Sequence, residues 1–165
     1  MKLTSAMANK LLKDYQRQID ELQQLELERF RFTVSTNENI EDVRPEYDYE
    51  TVRRQEDELA RKIIKLKHAI NKFNIETVVP GFEMTIDKIL IWMPILNDEK
   101  CRLGTMASIQ PKRRIGVSNQ LIEYQYAKYD VKKVSQDYEN IVATLRELQL
   151  ALDTVNNTVE FEVEL

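Results

Sequence analysis

Residues 47–74 read YDYETVRRQEDELARKIIKLKHAINKFN, and residues 129–156 read YDVKKVSQDYENIVATLRELQLALDTVN. Aligned without a gap at an offset of 82, they share Tyr47/Tyr129, Asp48/Asp130, Val52/Val134, Leu66/Leu148, Ala69/Ala151 and Asn74/Asn156. That is six identities in 28 positions, where about two are expected from ordinary residue usage. Leu59/Ile141, Ala60/Val142, Ile63/Leu145, Ile70/Leu152, Asn71/Asp153 and Phe73/Val155 add conservative matches. Two unrelated amphipathic helices share apolar spacing readily, but not the flanking Tyr-Asp and the closing Asn. A duplication is therefore expected.

Each copy reads as a helix. Val52, Glu56, Leu59, Ile63, Leu66, Ile70 and Phe73 step by four and three, as do Val134, Tyr138, Ile141, Leu145, Leu148, Leu152 and Val155. This is a heptad seam, the pattern of a straight helix packing along a partner. It marks Val52, Leu59, Ile63, Leu66, Ile70, Val134, Ile141, Leu145, Leu148 and Leu152 as core or subunit interface. Asp48 and Asp130 suit N-caps, since a short carboxylate accepts from the free amides of a first turn. Asn74 and Asn156 stand where the seams end and tolerate the left-handed backbone that closes helices.

Outward from these seams, Leu11, Leu12, Tyr15, Ile19, Leu22 and Leu25 give residues 4–28 one apolar face and predict another helix. Its counterpart falls near 85–104, with Leu3-Thr4 against Met84-Thr85 and Leu22 against Leu103. Ile86, Ile89, Leu90, Ile91, Trp92, Met93, Ile95 and Leu96 are apolar nearly all round, so this segment is expected to be the most buried. Pro94 either kinks it or starts a helix after a short extended piece.

Extended segments are expected between the helices of each unit. Arg29–Val34 and Ile122–Tyr126 alternate strictly, and Val159–Leu165 alternates to its last residue. Thr77–Val79 is a shorter strand stopped by Pro80-Gly81. The Arg29/Arg31 row and the Glu160/Glu162/Glu164 row predict that the first and last of these strands pair, the rival being residues 121–126. Loops are expected at 35–46 and 105–118.

Composition narrows the function. The 165 residues are 42% hydrophobic and 32% charged, with 3 Gly and 4 Pro, which leans towards long helices. A net charge of −4 opposes a general duplex-binding surface, because affinity for nucleic acid comes largely from cations that displace counterions. The lone Cys101 excludes an intrachain disulfide and fits a reducing cytoplasm. No apolar h-region opens the chain, and Ile86–Leu96 is too short to span a bilayer, so no membrane partner is expected.

Chemistry-bearing motifs are sparse. His68 is the only histidine and lies off the core line, so neither a His-based metal site nor a Ser-His-Asp triad is expected. Glu56-Asp57-Glu58 and Asp98-Glu99 read as solvated helix faces, since acid–base work needs two carboxyls in different environments beside a cleft. There is no Gly-rich phosphate loop, CxxC pair or HExxH helix. Cys101 reads as a small hydrophobe. No catalytic residue, metal site or cofactor is expected. The polar cluster of interest is Lys112-Arg113-Arg114, after Pro111 and before Tyr124 and Tyr126. It grips either an anion such as a phosphate or the neighbouring Glu of a solvated loop.

The opening Met1-Lys2-Leu3, the phrase Ala69-Ile70-Asn71-Lys72-Phe73-Asn74, and Ile122-Glu123-Tyr124 followed by Asp130-Val131 and a long helix resemble bacterial proteins labelled septicolysin-like. The resemblance covers most of the chain and implies no established activity. The pore formation in that name is not carried over, since no membrane-insertion segment is visible and the strands are too few to form a pore without a very large assembly. The loop 35–46 and the interruption at Pro94 are where the chain would depart from the family's pattern.

The sequence thus predicts a mainly α protein with a small antiparallel sheet (α+β). Four helices stand in two repeated helix–strand–helix units, 1–82 and 83–165, packed coiled-coil-like as one domain. The expected function is that of a non-enzymatic structural or interaction module acting as a homo-oligomer. The alternative is binding or sequestration of an anionic ligand, a nucleotide or nucleic acid, through Lys112, Arg113 and Arg114 with Tyr124 and Tyr126. The expected partners are a second copy of the chain, another protein or that anionic ligand.

Overall fold

The computed structural model describes residues 1–118 and 121–165. Along the chain run β1 (Lys2–Thr4), α1 (Ser5–Arg29), α2 (Ile40–Val43), α3 (Tyr49–Glu76), β2 (Val78–Val79) and β3 (Met84–Thr85). They are followed by α4 (Ile86–Ala107), β4 (Lys112–Ser118), β5 (Leu121–Tyr126), α5 (Val131–Thr158) and β6 (Glu160–Glu162). The protein is mostly helical, 66%, with small antiparallel sheets. Five helices are present among the described residues where four were expected. The addition is the single turn α2, inside the expected loop 35–46, capped by the Asn39 side chain, which accepts from Glu41 N.

Two compact units emerge, Met1–Phe73 with Asn156–Leu165, and Asn74–Val155. They are not the two sequence halves 1–82 and 83–165. The last turn of α3 belongs to the second unit, and the end of α5 with β6 belongs to the first.

In the first unit, α1 starts at Thr4, whose hydroxyl accepts from Met7 N. Ala8 on α1 and Leu66 and Ile70 on α3 bury against Leu3 and Val163, with Leu11, Leu12, Tyr15 and Phe161 around them. Phe73 stacks on Phe161 with ring centroids 4.7 Å apart. β1 and β6 close this core as an antiparallel pair, Lys2 opposite Glu162, Leu3 opposite Phe161 and Thr4 opposite Glu160. Val163 N donates to Met1 O at 2.9 Å, extending the pairing. Asp48 caps α3 by accepting from Thr51 N, and hydrogen bonding from the Thr51 side chain, with a smaller part from its backbone N–H, holds the Asp48 carboxyl below the usual range. Just before the cap, Tyr47 donates its hydroxyl to Glu26 on α1. The carboxylate it faces pushes the phenol up to about 12.

The second unit uses the same devices. Thr85 caps α4, its hydroxyl accepting from Lys88 N, and Asp130 accepts from Lys132 N and Lys133 N at the start of α5. Tyr129 donates to Met106 O at 2.9 Å, near the end of α4. β2 pairs with β3 across a tight turn in which Gly81 takes φ 87, a conformation that disfavours any side chain. Gly104 brings α4 close to α5: a Cβ there would lie 3.1 Å from the Tyr138 ring. Leu148, Leu152 and Val155 on α5 are buried, as are Ile86, Ile89, Leu96 and Leu103 on α4.

Three expectations need correction. Arg29–Val34 is not a strand: Arg29 ends α1, and the residues after it take no regular structure. The C-terminal strand β6 pairs with β1 in a two-stranded sheet and residues 121–126 pair with β4, so neither Arg29–Val34 nor residues 121–126 pairs with β6. The sheets therefore flank the helices, and only the second helix pair has a strand hairpin between its members, in place of a helix–strand–helix plan in both. Residues 105–118 are likewise not all loop, because α4 runs to Ala107 and β4 begins at Lys112. Pro94 lies inside a continuous α4, where it has no N–H to give the Leu90 carbonyl.

Leu148 is fully buried, and Leu150, two residues on, is exposed. Leu148→Ala is expected to lower unfolding stability by about 2–5 kcal/mol. Leu150→Ala should change it by less than about 0.5 kcal/mol. Urea unfolding of both variants checks the assigned face of α5.

Candidate functional site

Of the seam residues, Val52, Leu59, Leu66, Ile70, Leu148 and Leu152 are buried, while Ile63, Val134, Ile141 and Leu145 are half-buried. His68 is exposed on α3, and Cys101 is an exposed free thiol on α4. Among the described residues no group of three or more His, Cys, Asp or Glu is arranged to hold a metal ion. No helix among them is long and apolar enough to cross a membrane. The carboxyl group of Asp14 is held low by its hydrogen bond from Arg17, an ordinary helix-surface pairing. A groove of about 460 Å³ opens between α1 and α3, lined by Leu22, Leu25 and Leu59 with the polar Gln18, Glu58 and Lys62 among its other residues.

Two surfaces stand out. The first is the β4–β5 hairpin. Lys112 pairs with Tyr126, Arg113 with Gln125 and Arg114 with Tyr124, and a bulge at Ile115 shifts the register so that Gly116 faces Glu123. Opposed residues in an antiparallel pair point to the same side of the sheet. Lys112, Arg114, Tyr124 and Tyr126 therefore share one face, with Ile122 two residues before Tyr124 on the same strand. Arg113 is on the other face, so the three adjacent cations do not form a single patch. All of β5 is exposed, and Tyr126 retains 62% of its accessible surface. Lys112 Nζ sits 4.4 Å from the centroid of Tyr124 and 5.4 Å from that of Tyr126. The ring quadrupoles attract the ammonium there. None of Lys112, Arg113 and Arg114 makes an ion pair among the described residues.

The second surface is the outer side of α4. This helix was expected to be the most buried segment, and it is not. Its buried line, Ile86, Ile89, Leu96 and Leu103, lies on one side only. Leu90, Ile91 and Ile95 keep 48%, 60% and 59% of their surface, and Pro94 between them is also exposed. A helix apolar all round normally has neighbours all round. The composition signalled burial, but it did not distinguish a side covered within the chain from one left open.

No protein-family model matches the chain, and no curated protein matches it. One solved structure is similar over 98% of this chain and 100% of its own length, with a TM-score of 0.63 and 20% identity. It is a functionally unknown conserved protein from Corynebacterium diphtheriae. At that identity the likeness concerns the fold.

The hairpin geometry has a spectroscopic consequence. The ε-methylene protons of Lys112 are next to an ammonium held against the Tyr124 and Tyr126 rings, so they are expected upfield of the other lysines in a proton–carbon NMR spectrum. Tyr124→Leu should move them most of the way back, and an unshifted Lys112 would remove it from the rings.

Proposed function

We propose that this protein is a non-enzymatic interaction module that acts as a homo-oligomer, built from two copies of one helical unit. What carries the reading is the outer side of α4, with Leu90, Ile91 and Ile95 exposed together in one stretch of a helix that is apolar on its inner side as well. Contiguous exposed aliphatic side chains mark association surfaces, and a second copy of the same chain is the commonest partner of such a surface. The duplicated design is supported by bounds and caps: α3 and α5 are both 28 residues long with ends 82 apart, and Asp48/Asp130 and Tyr47/Tyr129 do equivalent work at their starts.

Light scattering at micromolar concentration is expected to give a mass above the 19.5 kDa of one chain. Ile91→Asp with Ile95→Asp should lower that mass to the single-chain value while leaving the far-ultraviolet circular dichroism unchanged, because a carboxylate is costly only where the side is covered. A wild-type chain of monomer mass throughout that range overturns the reading.

A second reading rests on a different observation, the cations and exposed tyrosines of the hairpin, where no ion pair forms among the described residues. On this reading the β4–β5 face binds an anionic ligand, a nucleotide or nucleic acid, with Lys112 and Arg114 on phosphate and Tyr124 and Tyr126 against a base. A thermal-shift series with nucleotides and a short single-stranded oligonucleotide tests it, since a ligand of the native state stabilises by mass action. Changing Lys112, Arg113 and Arg114 to Ser should abolish the ligand shift and leave the melting temperature of the free protein nearly unchanged. A shift that survives in the triple variant would place the ligand elsewhere.

A further inference from the structure

The outer side of α4 carries a line of residues stepping by three and four: Lys88, Ile91, Ile95 and Asp98. All four are exposed, and neither Lys88 nor Asp98 makes an ion pair among the described residues. The spacing is that of a coiled-coil seam, one whole stripe of a helix able to lie along another. Its sequence is also symmetric in a particular sense about Met93. Ile91 stands two residues before it and Ile95 two after; Lys88 stands five before and Asp98 five after.

We infer that α4 packs antiparallel on α4 of a second copy, with the twofold axis crossing the seam at the height of Met93, whose own side chain faces the other way. In that arrangement Ile91 of each helix meets Ile95 of the other, and Lys88 of each meets Asp98 of the other. An isologous contact requires a self-complementary surface of this kind, in which each residue finds its partner twice. A parallel pairing of the same seam would set Lys88 against Lys88 and Asp98 against Asp98. The aliphatic pair drives the contact, and the charges choose its direction. The inference rests on the homo-oligomer reading and specifies its interface.

Charge exchange on the full-length chain tests it. Lys88→Asp and Asp98→Lys, made singly, each place like charges across the seam twice, and each should weaken self-association about tenfold in sedimentation equilibrium. The double variant carrying both changes restores Asp against Lys and should recover most of the wild-type affinity. In a parallel seam the single changes would leave the number of like-charge contacts unaltered. A cysteine pair checks the geometry without relying on affinity. In a Cys101→Ser background, mild oxidation of a mixture of Lys88→Cys and Asp98→Cys chains should give chiefly the mixed disulfide dimer. Homodimers of each, or no cross-link from chains that light scattering shows to be assembled, overturns the antiparallel seam and leaves the homo-oligomer reading standing. A wild-type chain that never assembles defeats both.

Discussion

A 28-residue helix gains little from its own hydrogen bonds in water; what holds it is the burial of one stripe. In α3 that stripe runs through Val52, Leu59, Leu66, Ile70 and Phe73, and in α5 it ends in Leu148, Leu152 and Val155. The remaining architecture follows from keeping each stripe covered. The caps at Asp48 and Asp130 fix where the helices begin. Tyr47 and Tyr129 tie those beginnings to the ends of α1 and α4. The short strand pairs close the other ends, and in the first unit Phe161 and Val163 of the C-terminal segment complete the core around Leu66 and Phe73.

The helices were legible because a seam stepping by four and three from Val52 to Phe73, and again from Val134 to Val155, is a strong signal, and their N-caps were legible because Asp48 and Asp130 stand at the same point of each seam. The strand partners were not. β1 is three residues long, too short to alternate, and its role shows only when Lys2 is set opposite Glu162 and Thr4 opposite Glu160. Arg29–Val34 alternates over six positions, but alternation reports amphipathicity and says nothing of a partner. Matching an Arg row to the Glu row chose the wrong segment, because the residues set opposite Glu162 and Glu160 are Lys2 and the uncharged Thr4. In the hairpin, β5 was visible and β4 was not, because the bulge at Ile115 breaks the period of two and the three adjacent cations suggested loop.

The candidate surfaces were legible to different degrees for the same reason. Lys112 and Arg114 could be singled out as cations in an acidic chain, but only the strand register divides them from Arg113 and sets them beside Tyr124 and Tyr126. The outer side of α4 was hidden by its own composition. Ile89 and Ile91 look alike in the sequence, and the fold buries the first completely and leaves the second open.

The two surfaces therefore answer to different forces. On α4 the aliphatic side chains lose water when covered, a gain proportional to area and hardly affected by ionic strength. On the hairpin the interaction is coulombic, and salt screens exposed charges within roughly 8 Å at physiological strength. A two-stranded hairpin is also marginal in water without a third element against it, and both faces of β5 remain wet. The Lys112 ammonium lying over Tyr124 and Tyr126 supplies part of the missing cover from within the hairpin itself. An anion bound there would have to draw that cation away from the rings or approach it from the outer side. The proposed self-association and the proposed ligand capture would thus use separate elements and separate physics, so neither excludes the other.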